Sequence, residues 1–283
     1  MRVDSFKAVA SNKRSIEGGV GRRSLLPGIL AICALALGFS GCGSANNGPN
    51  GTGAGQVVIA AASDLRVAFT DLGYQFEDAT GIDVTFTFGS SGQLREQVIN
   101  GAPFDVFASA NEQFALDVVE ADKGWAETVK PYALGRIVLL TRSGLDVPST
   151  ISGLTSNDFA RIAIANPAHA PYGIAAREAL ESVGVYEDVK SRLVLGENVS
   201  DTLRLVETGN VDAAIVALSL VIVGDAPYEM IPENLHAPLK QSIVVTKTGD
   251  NEKNARKFVE FLSSQSGRTV MESYGFALPM GTR

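Results

Sequence analysis

The chain has 283 residues, with 24 Lys and Arg against 31 Asp and Glu and a formal net charge of −7. That balance argues against nucleic-acid binding, which needs a basic stripe to displace counterions from phosphates. Both cysteines, Cys33 and Cys42, lie in the first 42 residues, so whatever follows lacks disulfides, cysteine nucleophiles and cysteine-based zinc sites.

The first feature along the chain is a leader. Arg22 and Arg23 precede an apolar run, Leu25 to Phe39, of the length of a signal-peptide core and too short for a membrane span. The run closes on Phe39-Ser40-Gly41-Cys42, which resembles a bacterial lipobox, with Cys42 as the lipidated first residue of the mature protein after residues 1–41 are removed. Phe39 is an imperfect start to that motif, where an aliphatic residue is usual, and plain secretion with cleavage near Ala45 is the alternative. The Arg pair fits twin-arginine export or an ordinary basic leader equally well. Removing residues 1–41, with their six basic and two acidic residues, leaves 18 basic and 29 acidic residues and a net charge of −11. Residues 42–56 then read as a flexible tether, since from Gly43 to Gln56 there is no large apolar side chain.

From Val57 onward short β-type runs alternate with helical patterns. Val57 to Ala61, Asp83 to Phe88, Val106 to Ala108, Ile137 to Thr141, Ile162 to Ala165, Leu193 to Leu195, Ala213 to Val216 and Ile243 to Thr246 read as strands. Leu65 to Ala79 places Phe69, Leu72 and Phe76 on one helix face, and Phe258, Val259, Phe261 and Leu262 mark another helix. The alternation predicts an α/β fold with mostly parallel strands. Runs such as "RIVLLT" and "AAIVAL" suit strands buried on both faces. Periodicity leaves open whether there is one sheet or two.

The motifs for catalysis are weak. Gly89-Ser90-Ser91-Gly92 lacks the Gly-x-Ser-x-Gly spacing of a nucleophile elbow. The only histidines, His169 and His236, read as a polar loop residue and an exposed one, and no phosphate-binding glycine pattern occurs. The strand-to-helix junctions carry more. Ser63 in "AAASDL" and Ser91 in "FGSSGQL" each stand after a strand and before a helix, where a hydroxyl either caps the helix or, with the free N–H groups of the first turn, binds an anion. "NPAHAPYG", with a helix beginning near Tyr172 or Gly173, and "GENVSD", with one beginning near Val199, follow later strands in the same way. Four helix starts at strand carboxyl ends suit one small negative ligand.

In order and spacing, "AAASDL", "FGSSGQLREQVINGAPFDVFASA", "IANPAHAPYG", "ENVSDTLRLVETGNVDAAIV" and the final "GFALP" resemble the periplasmic molybdate-binding proteins of ABC transporters, over Val57 to Pro279. The resemblance implies a two-lobed type II periplasmic-binding fold with a two-strand hinge. Lobe I would span 57–133, lobe II 134–242, and 243–283 would return to lobe I. It implies that Ser63 and Ser91 bind molybdate or tungstate through hydroxyl and N–H, with backbone donors near Tyr172 and Val199. It also implies a permease partner in the membrane, no cofactor beyond the oxyanion itself, no free metal cation, and a monomer. One stretch departs from the family: its "Ile-Val-Tyr-x-Ser-Asp-Ala" is here Ile215-Val216-Ala217-Leu218-Ser219-Leu220-Val221, without the tyrosine that reaches the ligand and without the acid. Tyr172 either supplies the missing phenol or packs over the cleft. Sulfate, thiosulfate or another oxyanion is the alternative ligand; an enzyme on the same fold or a module that has lost its ligand are more distant readings. A site made only of donors would reject protonated phosphate and accept fully ionised anions.

Overall fold

The computed structural model describes residues 55–279; the leader, the proposed lipidation site Cys42 and nearly all of the tether lie outside them. In chain order the elements are β1 (Gln56–Ala62), α1 (Arg66–Thr80), β2 (Asp83–Gly89), α2 (Ser91–Ile99), β3 (Val106–Ser109), α3 (Glu112–Glu120), β4 (Lys130–Gly135) and β5 (Ile137–Thr141). There follow β6 (Ile162–Ala165), α4 (Pro171–Ser182), α5 (Tyr186–Val189), β7 (Leu193–Gly196), α6 (Val199–Glu207), β8 (Ala213–Ala217), α7 (Leu218–Val221), β9 (Tyr228–Met230), β10 (Leu239–Val245), α8 (Glu252–Ser263) and α9 (Gln265–Ser273). No helix among the described residues is long and apolar enough to cross a membrane.

The question left open by periodicity is answered by two sheets, ordered β2-β1-β3-β10-β4 and β7-β6-β8-β5-β9. In each, three neighbouring strands run parallel, the fourth is reversed, and the fifth pairs antiparallel to the fourth and so runs with the first three. The strands are therefore mostly parallel, with one reversed strand per sheet. These reversed strands, β10 and β5, each follow a crossing between the sheets. Only Arg136 separates β4 in one sheet from β5 in the other. The Arg136 guanidinium donates through Nε and Nη2 to the Gly275 carbonyl at 2.9 and 2.6 Å. Leu134 and Ala277 exchange backbone hydrogen bonds beside it, so the "GFALP" segment clamps the crossing.

The first sheet is held by burial of an aromatic cluster. Ala68, Phe69, Leu72 and Phe76 share the buried face of α1 at the three- and four-residue spacing of one helix side. The helix ends at Gly81, whose φ of 69° suits a residue without Cβ. Phe258 of α8 meets Phe69, Phe76 and Phe86 at centroid distances of 5.8, 5.3 and 6.1 Å, which seats the C-terminal helix on the first sheet. In the second sheet α4 lies so close to β6 that a side chain on Gly173 would overlap the Ala165 carbonyl. Gly173→Ala should therefore cost about 1–3 kcal/mol through overpacking, read as a lowered urea midpoint with unchanged slope.

Candidate functional site

Parallel strands deliver the chain to helix starts at their carboxyl ends, and here those ends of the two sheets face one another. Ser63 follows β1 and opens a short 3-10 turn, Ser63–Leu65, leading into α1. Ser91 is the first residue of α2, Tyr172 the second of α4, and Val199 the first of α6. All four are buried, and all four line one narrow cleft. The four junctions singled out in the sequence are thus brought together.

Residues at a helix start have no carbonyl one turn behind to receive their N–H. The N–H groups of Ser91, Tyr172 and Val199 have no backbone acceptor among the described residues. Among the neighbouring first-turn groups, Asn198 Oδ1 accepts from Asp201 N at 3.0 Å, and Pro171 at the start of α4 has no N–H to satisfy. Both serine hydroxyls already accept. Ser91 Oγ takes the Ala110 N–H at 3.1 Å and Ser63 Oγ the Ser200 N–H at 3.4 Å, so the hydroxyl proton of each remains available to an anion. Among the described residues no Lys or Arg lines the cavity.

The two sides meet directly around this space. Gly92 N–H and Ser90 Oγ both donate to the His169 carbonyl, at 3.0 and 2.7 Å, and Ser200 Oγ donates to Ser63 O at 2.8 Å. A Cβ on Gly92 would stand 2.6 Å from His169 O, so glycine is required for this approach. His169 Nδ1 lies 2.8 Å from Ser90 Oγ, which superficially resembles a base beside a nucleophile. Ser90 Oγ also lies 2.7 Å from the His169 carbonyl, which can only accept, so the single hydroxyl proton satisfies that bond when His169 carries its proton on Nδ1, the tautomer in which it is no base for Ser90. His169 is therefore a bridge between the two sides rather than a simple loop residue.

The residue that sequence reasoning passed over is Asp64. It lines the same cavity and is 1 % exposed, so the site is not made of donors alone. Its Oδ2 accepts from the Tyr172 hydroxyl at 3.0 Å and from Gln241 Nε2 at 2.5 Å, while Oδ1 has no partner. Gln241 is oriented by the Tyr132 hydroxyl, which donates to its Oε1 at 2.8 Å, and the Asp64 carbonyl accepts from Ser219 Oγ at 2.8 Å. The Tyr172 phenol is thus directed to Asp64, and it is the backbone N–H of Tyr172 that stays open to the cavity. Burial, then the Asp64 charge, push the Tyr172 hydroxyl well above its usual range and keep it a donor. Ala217, the family's tyrosine position, is buried at the end of β8 and does not line the cavity. The signals for the missed residues were an acid next to Ser63 in "AAASDL" and a lone glutamine in the strand "LKQSIVV".

Burial pushes the Asp64 carboxyl up from 3.8 to about 6, against the hydrogen bonds from Gln241 and Tyr172 that lower it. A raised acid is destabilising once ionised. The native protein binds its proton more tightly than the unfolded chain, so the penalty is absent below the unfolded value near 3.8, grows as pH rises to about 6, and stays constant above. Its size is on the order of 3 kcal/mol. Asp64→Asn keeps the acceptor for Tyr172 and removes the titration. The stability difference between wild type and D64N, from urea denaturation without added oxyanion, should move by that amount across this window in favour of D64N at the higher pH.

The model of the bacterial extracellular solute-binding protein family matches residues 57–277. The molybdate-binding protein ModA of Rhodobacter capsulatus is 34% identical over 224 residues, covering 79% of this chain and 88% of that protein. ModA of Azotobacter vinelandii is 31% identical over 252 residues, 87% of this chain and 96% of that one. The solved structure of the Azotobacter vinelandii periplasmic molybdate-binding protein superposes with a TM-score of 0.74 at 28% identity, covering 79% of this chain and all of that one. A match across nearly all of the described residues, on a fold of two facing sheets, leads to one conclusion: the chain belongs to the bacterial extracellular solute-binding protein family.

Proposed function

We propose that the protein captures molybdate, and tungstate with it, outside the cytoplasm and delivers it to the membrane permease of an ABC transporter. The observation that carries this reading is the convergence of Ser63, Ser91, Tyr172 and Val199 on one cavity, supported by the relatives named as molybdate-binding proteins. In this reading the serine hydroxyls and the N–H groups of Ser91, Tyr172 and Val199 replace the hydration shell of a tetrahedral dianion. Each charge-assisted hydrogen bond contributes roughly 1.5–3 kcal/mol, and neutral donors keep release possible. The two sides belong to lobes that close over the ligand by hinge motion, with the crossings at Arg136 and between β9 and β10 as hinge strands.

In this reading the protein acts as a monomeric binder rather than an enzyme, supported by relatives that are themselves named as molybdate-binding proteins. Export through the leader, with lipid anchoring at Cys42, places it on the outer face of the cell membrane.

Calorimetric titration of the purified protein should give submicromolar binding of molybdate and tungstate, with sulfate and phosphate silent. Sulfate binding alongside molybdate would move the assignment to a broader oxyanion binder, and silence with all four would end it. Ser63→Ala and Ser91→Ala should each weaken molybdate binding by roughly 10- to 100-fold, matching one charge-assisted bond. Gly92→Ala should also weaken it while leaving the urea midpoint near that of wild type. Its added methyl obstructs the closed contact with His169, so small-angle scattering should record a smaller compaction on adding molybdate.

A further inference from the structure

We propose that Asp64 is the proton-carrying residue of the oxyanion site: capture of a dianion is coupled to uptake of one proton, held on Asp64 Oδ1 and donated to a ligand oxygen. This deepens the proposed function and rests on it. The balance is simple: the ionised carboxylate, one proton from solvent and the dianion combine into a neutral carboxylic acid hydrogen-bonded to the bound dianion.

The geometry assigns the proton to one oxygen. Oδ2 already accepts two donors, the Tyr172 hydroxyl and Gln241 Nε2, whereas Oδ1 is buried and has no partner. A proton on Oδ2 would meet two donors, while a proton on Oδ1 needs an acceptor, and the cavity Asp64 lines is where an oxyanion oxygen stands in the proposed function. The charges point the same way. An ionised Asp64 and a dianion would share a site with no Lys or Arg in its lining, and like charges at contact favour protonation of one of them.

Among the described residues, no Lys or Arg pairs with Asp64. Tyr172 of α4 and Tyr132 of β4 are the other titratable groups facing it, both kept protonated by burial and by the Asp64 charge. Arg66 at the start of α1 lies over the Phe88 ring, and on α6 Asp201 pairs with Arg204. Gln241 of β10 and Ser219 of α7 are neutral. The upward push that burial gives this carboxyl brings the uptake within reach of ordinary pH.

The test is titration of the purified protein with molybdate at pH 8 in two buffers of different ionisation enthalpy, Tris and HEPES. The buffer dependence of the heat should report close to one proton taken up per molybdate, falling toward none at pH 5. The dissociation constant should rise about tenfold per pH unit above pH 7. D64N presents an amide donor where the acid presents Oδ1–H, so it should bind without proton uptake and with a flat pH profile, tighter than wild type at pH 8. Molybdate binding with no proton uptake in the wild type at pH 8 overturns this inference and leaves the functional reading standing. Uptake that persists in D64N and disappears in His169→Gln assigns the proton to the imidazole that bridges the two sides and likewise overturns it. No heat with molybdate, tungstate or sulfate overturns both. Circular dichroism and the urea midpoint verify that each variant is folded.

Discussion

The cleft depends on a property of every helix start: first-turn N–H groups with no carbonyl behind them. Such groups are costly to bury unless something accepts from them. Here three are brought to one place by topology, because parallel strands deliver their helices to the same edge of a sheet and the two sheets face each other across that edge. The serine hydroxyls extend the set without adding charge, since each accepts from a backbone N–H and keeps its own proton free. Neither sheet holds the full set. Ser63 and Ser91 come from one side, Tyr172 and Val199 from the other, and an anion that satisfies them all must bridge the two.

That requirement gives the crossing segments their meaning. A single residue, Arg136, separates a strand of one sheet from a strand of the other, and its guanidinium holds the Gly275 carbonyl of the C-terminal segment. The relative position of the sheets is therefore constrained by a short crossing and by the C-terminal clamp upon it. The hydrogen bonds that cross the cleft run from Gly92 and Ser90 to the His169 carbonyl, from Ser200 to Ser63, and from Tyr172 and Ser219 to Asp64. Polar contacts of this kind exchange readily with water, which suits surfaces that must part and rejoin.

Much of this was legible in the sequence. The eight anticipated strands all exist, and the consecutive apolar residues within "RIVLLT" and "AAIVAL" become central strands paired on both sides. The four junctions could be read because a serine or a helix start directly after a strand has few other uses. The strands missed were β4 and β9. β4 contains Pro131 and ends in glycine, features an edge strand tolerates and a sequence reader discounts, while β9 is three residues long and formed at an edge. The run anticipated over Ile243 to Thr246 proved to hold the end of a longer strand, Leu239–Val245, whose start was hidden by the polar Lys240 and Gln241, with Thr246 just beyond it. Gln241 is buried because it serves Asp64, a partner 177 residues away. A contact at such a separation leaves no periodic trace, and so the acid beside Ser63 passed as an ordinary first-turn residue.

The same network explains what became of the departure at Ala217 and Leu220. The stretch after β8 lacks the tyrosine and the acid of the family pattern, yet the structure holds a tyrosine and an acid together at the cleft, on other elements: Tyr172 from α4 and Asp64 from the turn before α1. Ser219, still present in the altered stretch, donates to the Asp64 carbonyl, so that segment supports the acid instead of supplying one. The phenol consequently faces a carboxylate and joins the two sides of the cleft, while its backbone N–H remains for an anion. A buried carboxylate is a poor source of stability in itself. Its place beside a set of unused donors is intelligible if its protonation and the closing of the cleft are linked, because the group that unites the two sides through Oδ2 is then also the group that responds to charge at Oδ1.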